Sequence, residues 1–171
     1  MSSRLISTLE GCDILLYSSD NKDELVKFVA KAAIDRDGSE ETHANEKGTP
    51  YYDPDFRPDT SLHIAGKPLD PYTVPFIVVP PVVCKKTANI VLGSVAFVQN
   101  TQTYDWCLAV VGDTGPTLKV GEMSTTCARL VGLDDSPTHG GTDKHIIQYV
   151  IYVGVPARIN GVQYTLQRYG A

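Results

Sequence analysis

The sequence has no uninterrupted apolar run of the ~20 residues that a membrane-crossing helix needs. Its longest apolar stretches, residues 74–83 and 90–98, are broken by Pro, Lys or Gly. Positive charge is also scarce: 15 Lys and Arg against 20 Asp and Glu leave a formal net charge of −5. That sign repels a polyanion, so nucleic acid is disfavoured as a partner, whereas a polycation is permitted. The N-terminal segment lacks the apolar core, about 7–15 residues long, of a secretory leader. Two expectations follow: a leader was removed, or there was none. The four cysteines, Cys12, Cys84, Cys107 and Cys127, are too scattered for a zinc ribbon or a redox motif. Free or buried thiols are expected, because a chain of this size does not need disulfide staples. His43, His63, His139 and His145 show neither metal-ligand spacing nor a neighbouring nucleophile motif. The expectation is no cofactor and no metal.

What is present fits one folded domain over residues 1–171, with 42% hydrophobic and 20% charged residues and many turns, given 14 Gly and 11 Pro. Residues 26–34 alternate Val26, Phe28, Ala30, Ala32 and Ile34 with Lys27, Val29, Lys31 and Ala33, a period-two pattern that predicts a half-buried strand. A helix over residues 23–33 is the competing reading. Residues 75–80, 90–98, 106–111 and 146–153 are short runs rich in Val, Ile and aromatics, and read as strands. Asn160-Gly161 between residues 157–159 and 162–166 is a strong hairpin signal. Residues 122–131 read as the best helix, with Met123, Cys127, Leu130 and Val131 on one face and Gly132 as its stop. Residues 39–59, polar and rich in Pro, Gly and Asp, read as a long irregular excursion. The class expected is mainly β with one or two helices.

The chemistry concentrates in residues 109–124. An apolar strand delivers Asp113 into a turn made by Gly112, Gly115 and Pro116, and Gly121 leads into Glu122. Glycosidic hydrolysis needs two carboxyl groups, one giving a proton to the leaving oxygen and the other activating water or attacking carbon. A turn at Gly115-Pro116 would fold the intervening segment back so that the two flank one bond. On the ordinary reading, Asp113 only shapes the turn and Glu122 only favours a helix N-terminus.

Taken together, Gly112-Asp113-Thr114-Gly115-Pro116 and Gly121-Glu122-Met123-Ser124 resemble the signature region of the family 75 glycoside hydrolases, the chitosanases. Further blocks match in the same order: Ile34-Asp35-Arg36-Asp37-Gly38, Pro58-Asp59-Thr60-Ser61-Leu62-His63 followed by Gly66-Lys67-Pro68-Leu69, and residues 74–81. The resemblance implies a single-domain β-barrel related to double-psi barrels. It also implies endo-hydrolysis of β-1,4 bonds in chitosan with inversion, by Asp113 and Glu122. Glu122 is expected to be the general acid and Asp113 the base. The higher ordinary pKa of Glu, which burial would raise further, favours Glu122 as acid; a helix N-terminus would oppose it, and desolvation of Asp113 at the end of its apolar strand would favour the reverse assignment.

Asp35 and Asp37 are candidates for binding the ammonium groups of glucosamine, with a strand-ending turn as the alternative. The Asp-x-Asp-Gly pattern hints at calcium but lacks the remaining oxygen ligands. Tyr51 and Tyr52 are candidates for stacking on sugar rings, and Thr114 joins the substrate contacts. Trp106 is expected in the core. Chitosan or chito-oligosaccharides are the expected partners of a monomer working outside the cell. Two other readings stand beside this one: a peptidoglycan-cleaving barrel enzyme, and a non-catalytic carbohydrate-binding module.

Overall fold

The computed structural model describes residues 1–38, 47–49 and 52–170. The described chain runs β1 (Ser2–Leu9), β2 (Cys12–Ser18), β3 (Glu24–Asp35), β4 (His63–Ile64), β5 (Lys67–Pro68), β6 (Phe76–Val79), α1 (Pro81–Lys86) and β7 (Ser94–Asn100). It continues with β8 (Trp106–Thr114), β9 (Glu122–Ser124), α2 (Thr125–Leu130), β10 (Thr142–Pro156), β11 (Arg158–Ile159) and β12 (Val162–Gln163). With 47% strand and 8% helix, the chain is mainly β as expected.

The strands close on themselves. The neighbours run β3-β10-β7-β8-β6-β9, and β9 pairs back to β3, completing a six-stranded barrel. Two seams are parallel, β6 with β8 and β3 with β9, and the other four are antiparallel. β3 makes closure possible by its length. Its residues Glu24 to Lys27 pair with β2, and Ala33 to Asp35 pair with β9. The β1-β2 hairpin therefore extends the barrel wall on the same edge that closes the ring further along.

The period-two pattern of β3 decides between strand and helix. Val26, Phe28, Ala30 and Ala32 are buried, and the first three pair in register with Ile151, Tyr149 and Ile147 of β10. Phe28 and Tyr149, paired in register, stack at 4.8 Å between centroids, and the Tyr149 hydroxyl donates to the Lys31 carbonyl at 2.8 Å. A buried phenol without such a partner would cost about 1–3 kcal/mol.

The hairpin at Asn160-Gly161 forms, with Arg158 facing Gln163 and both loop residues at positive φ, 52° and 79°. A second two-residue turn of this kind, Glu10-Gly11 at φ 50° and 76°, joins β1 to β2; the sequence reading missed it, along with α1. The helix read over residues 122–131 needs correction. Residues Glu122–Ser124 are β9, inserted between β3 and β6, and the helix starts only at Thr125. Ser124 is its N-cap, accepting from the Cys127 amide at 3.2 Å while its hydroxyl donates to the Val74 carbonyl. Leu130 is 49% exposed and not on the buried face. Trp106, expected in the core, is 57% exposed: the inward places on its strand go to Cys107 and Ala109, which turns Trp106 outward against Phe97. The strand read from residue 90 begins only at Ser94. Of the excursion over 39–59, residues 39–46, 50 and 51 lie outside the described set. No described helix is long and apolar enough to cross a membrane.

Candidate active site

β8 runs beside β6 with Phe76 opposite Val110 and Ile77 opposite Val111, and then the register skips Gly112 so that Asp113 meets Val78. The skip is a bulge, which re-aims the side chains that follow it. Gly112 suits it because a Cβ there would sit 2.5 Å from Leu69 Cδ1 and 2.9 Å from Phe76 Cβ. On the other side of β6, Val78 pairs with Glu122. Laterally paired residues project to the same face of a sheet, so Asp113, Val78 and Glu122 share one face. Two inter-strand steps separate the carboxyl residues, placing their Cα atoms about 9–10 Å apart.

Two further contacts set Glu122. Gly121, at φ +88°, packs so closely on β3 that a Cβ would lie 2.3 Å from the Lys31 carbonyl oxygen, and its own carbonyl accepts from the Ala33 amide at 2.9 Å. Glu10, from the β1-β2 turn, accepts from the Val120 amide at 2.9 Å and pairs with Lys31 at 2.8 Å. The missed hairpin thus anchors the approach to Glu122.

The shared face opens into a cleft of about 1000 Å³. Its lining carries the carboxyl groups of Asp35, Asp37, Asp53, Asp55, Asp59, Asp113, Glu122 and Asp143, against the cations of Lys31, Arg57 and Lys119. This excess of acid is far more local than the mild charge of the whole chain. Asp35, Asp37 and Asp113 each offer an oxygen within 4.8 Å of the others, which creates strong demand for a proton or a cation among them. The Asp35 carboxylate accepts from the Asp37 amide at 2.8 Å, and Asp37 accepts from the Arg57 amide at 2.9 Å, so the strand-ending turn and the acidic cluster are one structure.

The two central carboxyls differ in their surroundings. Asp113 Oδ1 accepts three hydrogen bonds, from the Ser61 amide at 3.0 Å, the Ser61 hydroxyl at 2.7 Å and the Thr114 amide at 2.8 Å. These favour its anion, although burial still lifts its pKa above the ordinary aspartate value. Among the described residues, no hydrogen bond reaches the Glu122 carboxyl. Burial, with the charges of Asp37 and Asp113 added, pushes it up to about 7. Burial likewise lifts Asp37 to about 6 and, joined by the charges of Glu122 and Asp37, holds Asp35 well above its usual range. Because Glu122 sits in a strand ahead of the N-cap, the expected opposition from a helix dipole does not arise.

Of the expected site residues, Asp35, Asp37, Asp113, Thr114 and Glu122 all line the cleft. Tyr52 is not among the lining residues; its backbone amide donates to the Thr49 carbonyl. Tyr51 lies outside the described residues. The sequence reading missed Ser61, Asp53, Asp55, Asp59, His139 and Asp143. Asp59 and Ser61 sat within a matching block, so a signal existed for them, whereas Asp143 arrives only through the tertiary course of β10. The chain matches no protein-family model and no curated protein.

Proposed function

We propose that the protein is an endo-acting glycoside hydrolase that cleaves β-1,4 bonds in a glucosamine polymer such as chitosan. The observation that carries this reading is the placement of Asp113 and Glu122 on opposite sides of Val78, facing one acidic cleft. A Cα separation of about 9–10 Å leaves room for carboxyl groups about 6.5–9.5 Å apart, the spacing at which a water fits for inversion. Glu122 holds a proton near neutral pH and donates it to the leaving oxygen. Asp113, held as an anion by Ser61 and Thr114, takes a proton from the attacking water on the other face of the sugar.

The surrounding carboxylates favour a substrate bearing ammonium groups over an acetylated one, because each free amine forms charge-assisted hydrogen bonds with them. Such a polymer lies outside the cell, which is where the reading places the enzyme at work. The test is digestion of highly deacetylated chitosan, followed by mass spectrometry of the products and NMR of the new reducing ends. Glucosamine oligomers of mixed length with inverted anomers support the reading. Inert chitosan beside digested peptidoglycan would move the assignment to a wall-lytic enzyme. Binding without products would make the protein a carbohydrate-binding module.

A further inference from the structure

Two of the four thiols are in contact. Cys107 on β8 and Cys127 on α2 lie 3.5 Å apart between sulfur atoms, and both are free. Among the described residues no other cysteine pair meets; the Cys12 sulfur faces the His145 ring at 3.4 Å instead. Cys127 is fully buried, whereas Cys107 keeps 7% exposure and lines a shallow surface pocket of about 290 Å³ with Pro75, Leu108, Leu130 and Arg158. A small oxidant therefore reaches Cys107 first. Closing the sulfurs to the ~2.05 Å of a disulfide requires about 1.5 Å of movement shared between two side chains.

We propose that Cys107 and Cys127 are an oxidation site at which a hydroperoxide closes a disulfide between β8 and α2. The bond would span 20 residues and enclose the whole segment that carries Asp113 and Glu122. In the first step the Cys107 thiolate attacks a peroxide oxygen; the O–O bond breaks and hydroxide leaves, taking up a proton as water. The Cys107 sulfenic acid is then attacked by the Cys127 sulfur, the S–S bond forms, and the hydroxyl departs as a second water with the Cys127 proton. Two electrons from two thiols reduce one peroxide. Contact with Cys107, together with burial, holds the Cys127 thiol well above the ordinary range, which suits it to the resolving role and not to the first attack. Cys107 lies six positions from Asp113, about 20 Å along β8, whereas Cys127 lies five positions from Glu122, just past the end of β9. The inference rests on the two thiols and not on the polysaccharide reading.

The test uses the full chain. It is treated with hydrogen peroxide at a dose that oxidises the denatured protein, alkylated in denaturant, digested without reductant and analysed by mass spectrometry. The expected result is a linked peptide pair containing Cys107 and Cys127, lighter than its two parts by two hydrogens, with Cys84 and Cys12 alkylated. The linked form should melt roughly 6–12 °C above the reduced form, from the closure of a loop of this length. The chain is reduced and freed of reductant beforehand, so that any link found is one the peroxide has formed. Recovery of Cys107 as sulfinic or sulfonic acid without a link would overturn it. So would links to Cys12 or Cys84, or four unmodified thiols.

Discussion

Asp113 and Glu122 are both register partners of Val78, one across the parallel seam of β6 and the other across its antiparallel seam. A single residue of the central strand thus sets the gap between the two carboxyls, and the bulge at Gly112 decides that Asp113 occupies that level. Without the bulge, Val78 would face Gly112, and Asp113 would move one residue along to the opposite face.

The pH dependence of hydrolysis should be bell-shaped. Glu122 must be protonated to act as acid, so activity falls as pH rises through about 7. Asp113 must be ionised to act as base, so activity also falls at acid pH, with a limb above the ordinary aspartate range. Profiles of kcat/KM between pH 3 and 9, roughly the span of these two titrations, read both limbs. A plateau that continues to alkaline pH would remove Glu122 from the acid role.

Stability should have its own pH signature. Glu122 and Asp37 have folded pKa values of about 7 and about 6, raised from 4.5 and 3.8. The folded state therefore binds more protons than the unfolded one between those limits. The contribution is fully present below about pH 4 and is lost as pH rises through 6 and 7. The melting temperature should fall across that window, and Glu122→Gln should flatten the fall. An unchanged slope in the variant would mean that Glu122 titrates normally in the folded protein.

Ser61→Ala removes the 2.7 Å hydrogen bond to Asp113 and leaves the backbone donors in place. Loss of a donor to the anion raises the Asp113 pKa, so the acid limb of the profile should move up by about 1–2 pH units, given ~1.5–3 kcal/mol for a hydrogen bond to a charged group. The alkaline limb, set by Glu122, should stay. A fall in rate with both limbs unmoved would make Ser61 a substrate contact and not a partner of Asp113.

Gly121→Ala places a Cβ 2.3 Å from the Lys31 carbonyl at a backbone angle that L-residues rarely adopt. Denaturant midpoints should show destabilisation by about 1–3 kcal/mol, from backbone strain alone or with the added clash. Because β9 would lift from β3, activity per folded molecule should drop as well. A variant as stable as wild type would show that this close approach is not needed.

Cleavage should slow as acetylation of the polymer rises, and added salt should weaken polymer binding, since acidic groups dominate the cleft. Initial rates on chitosans of graded acetylation measure this. Equal rates on chitin and chitosan would contradict recognition of free amines.

Much of the barrel was legible because its inner face repeats every second residue: Val26, Phe28, Ala30 and Ala32 announce a strand without help from other elements. The hairpin at Asn160-Gly161 was legible for an equally local reason, since its residues tolerate positive φ. Glu122 to Ser124 were misread because Met123 and Cys127 fit a helical face as well as they fit a strand followed by an N-cap. Only the long-range bonds to β3 and β6 choose between them. Asp113 and Glu122 stood out through their motif, and Asp35 and Asp37 through the turn. The acid rim of Asp53, Asp55 and Asp143 did not, because ordinary loop aspartates become a cleft only when the barrel brings the loops together.

The central claim is that Asp113 and Glu122 are catalysts and not turn and strand features, and the measurement that tests it most directly is hydrolysis and thermal melting on the same preparations of Asp113→Asn and Glu122→Gln. The amides keep size and some hydrogen bonding but neither donate a carboxylic proton nor take one from water. Each substitution should lower turnover by roughly 10²–10⁴-fold while leaving the fold and the binding of chito-oligosaccharides in place. A lowered melting temperature with specific activity near that of wild type would contradict the claim for the residue concerned.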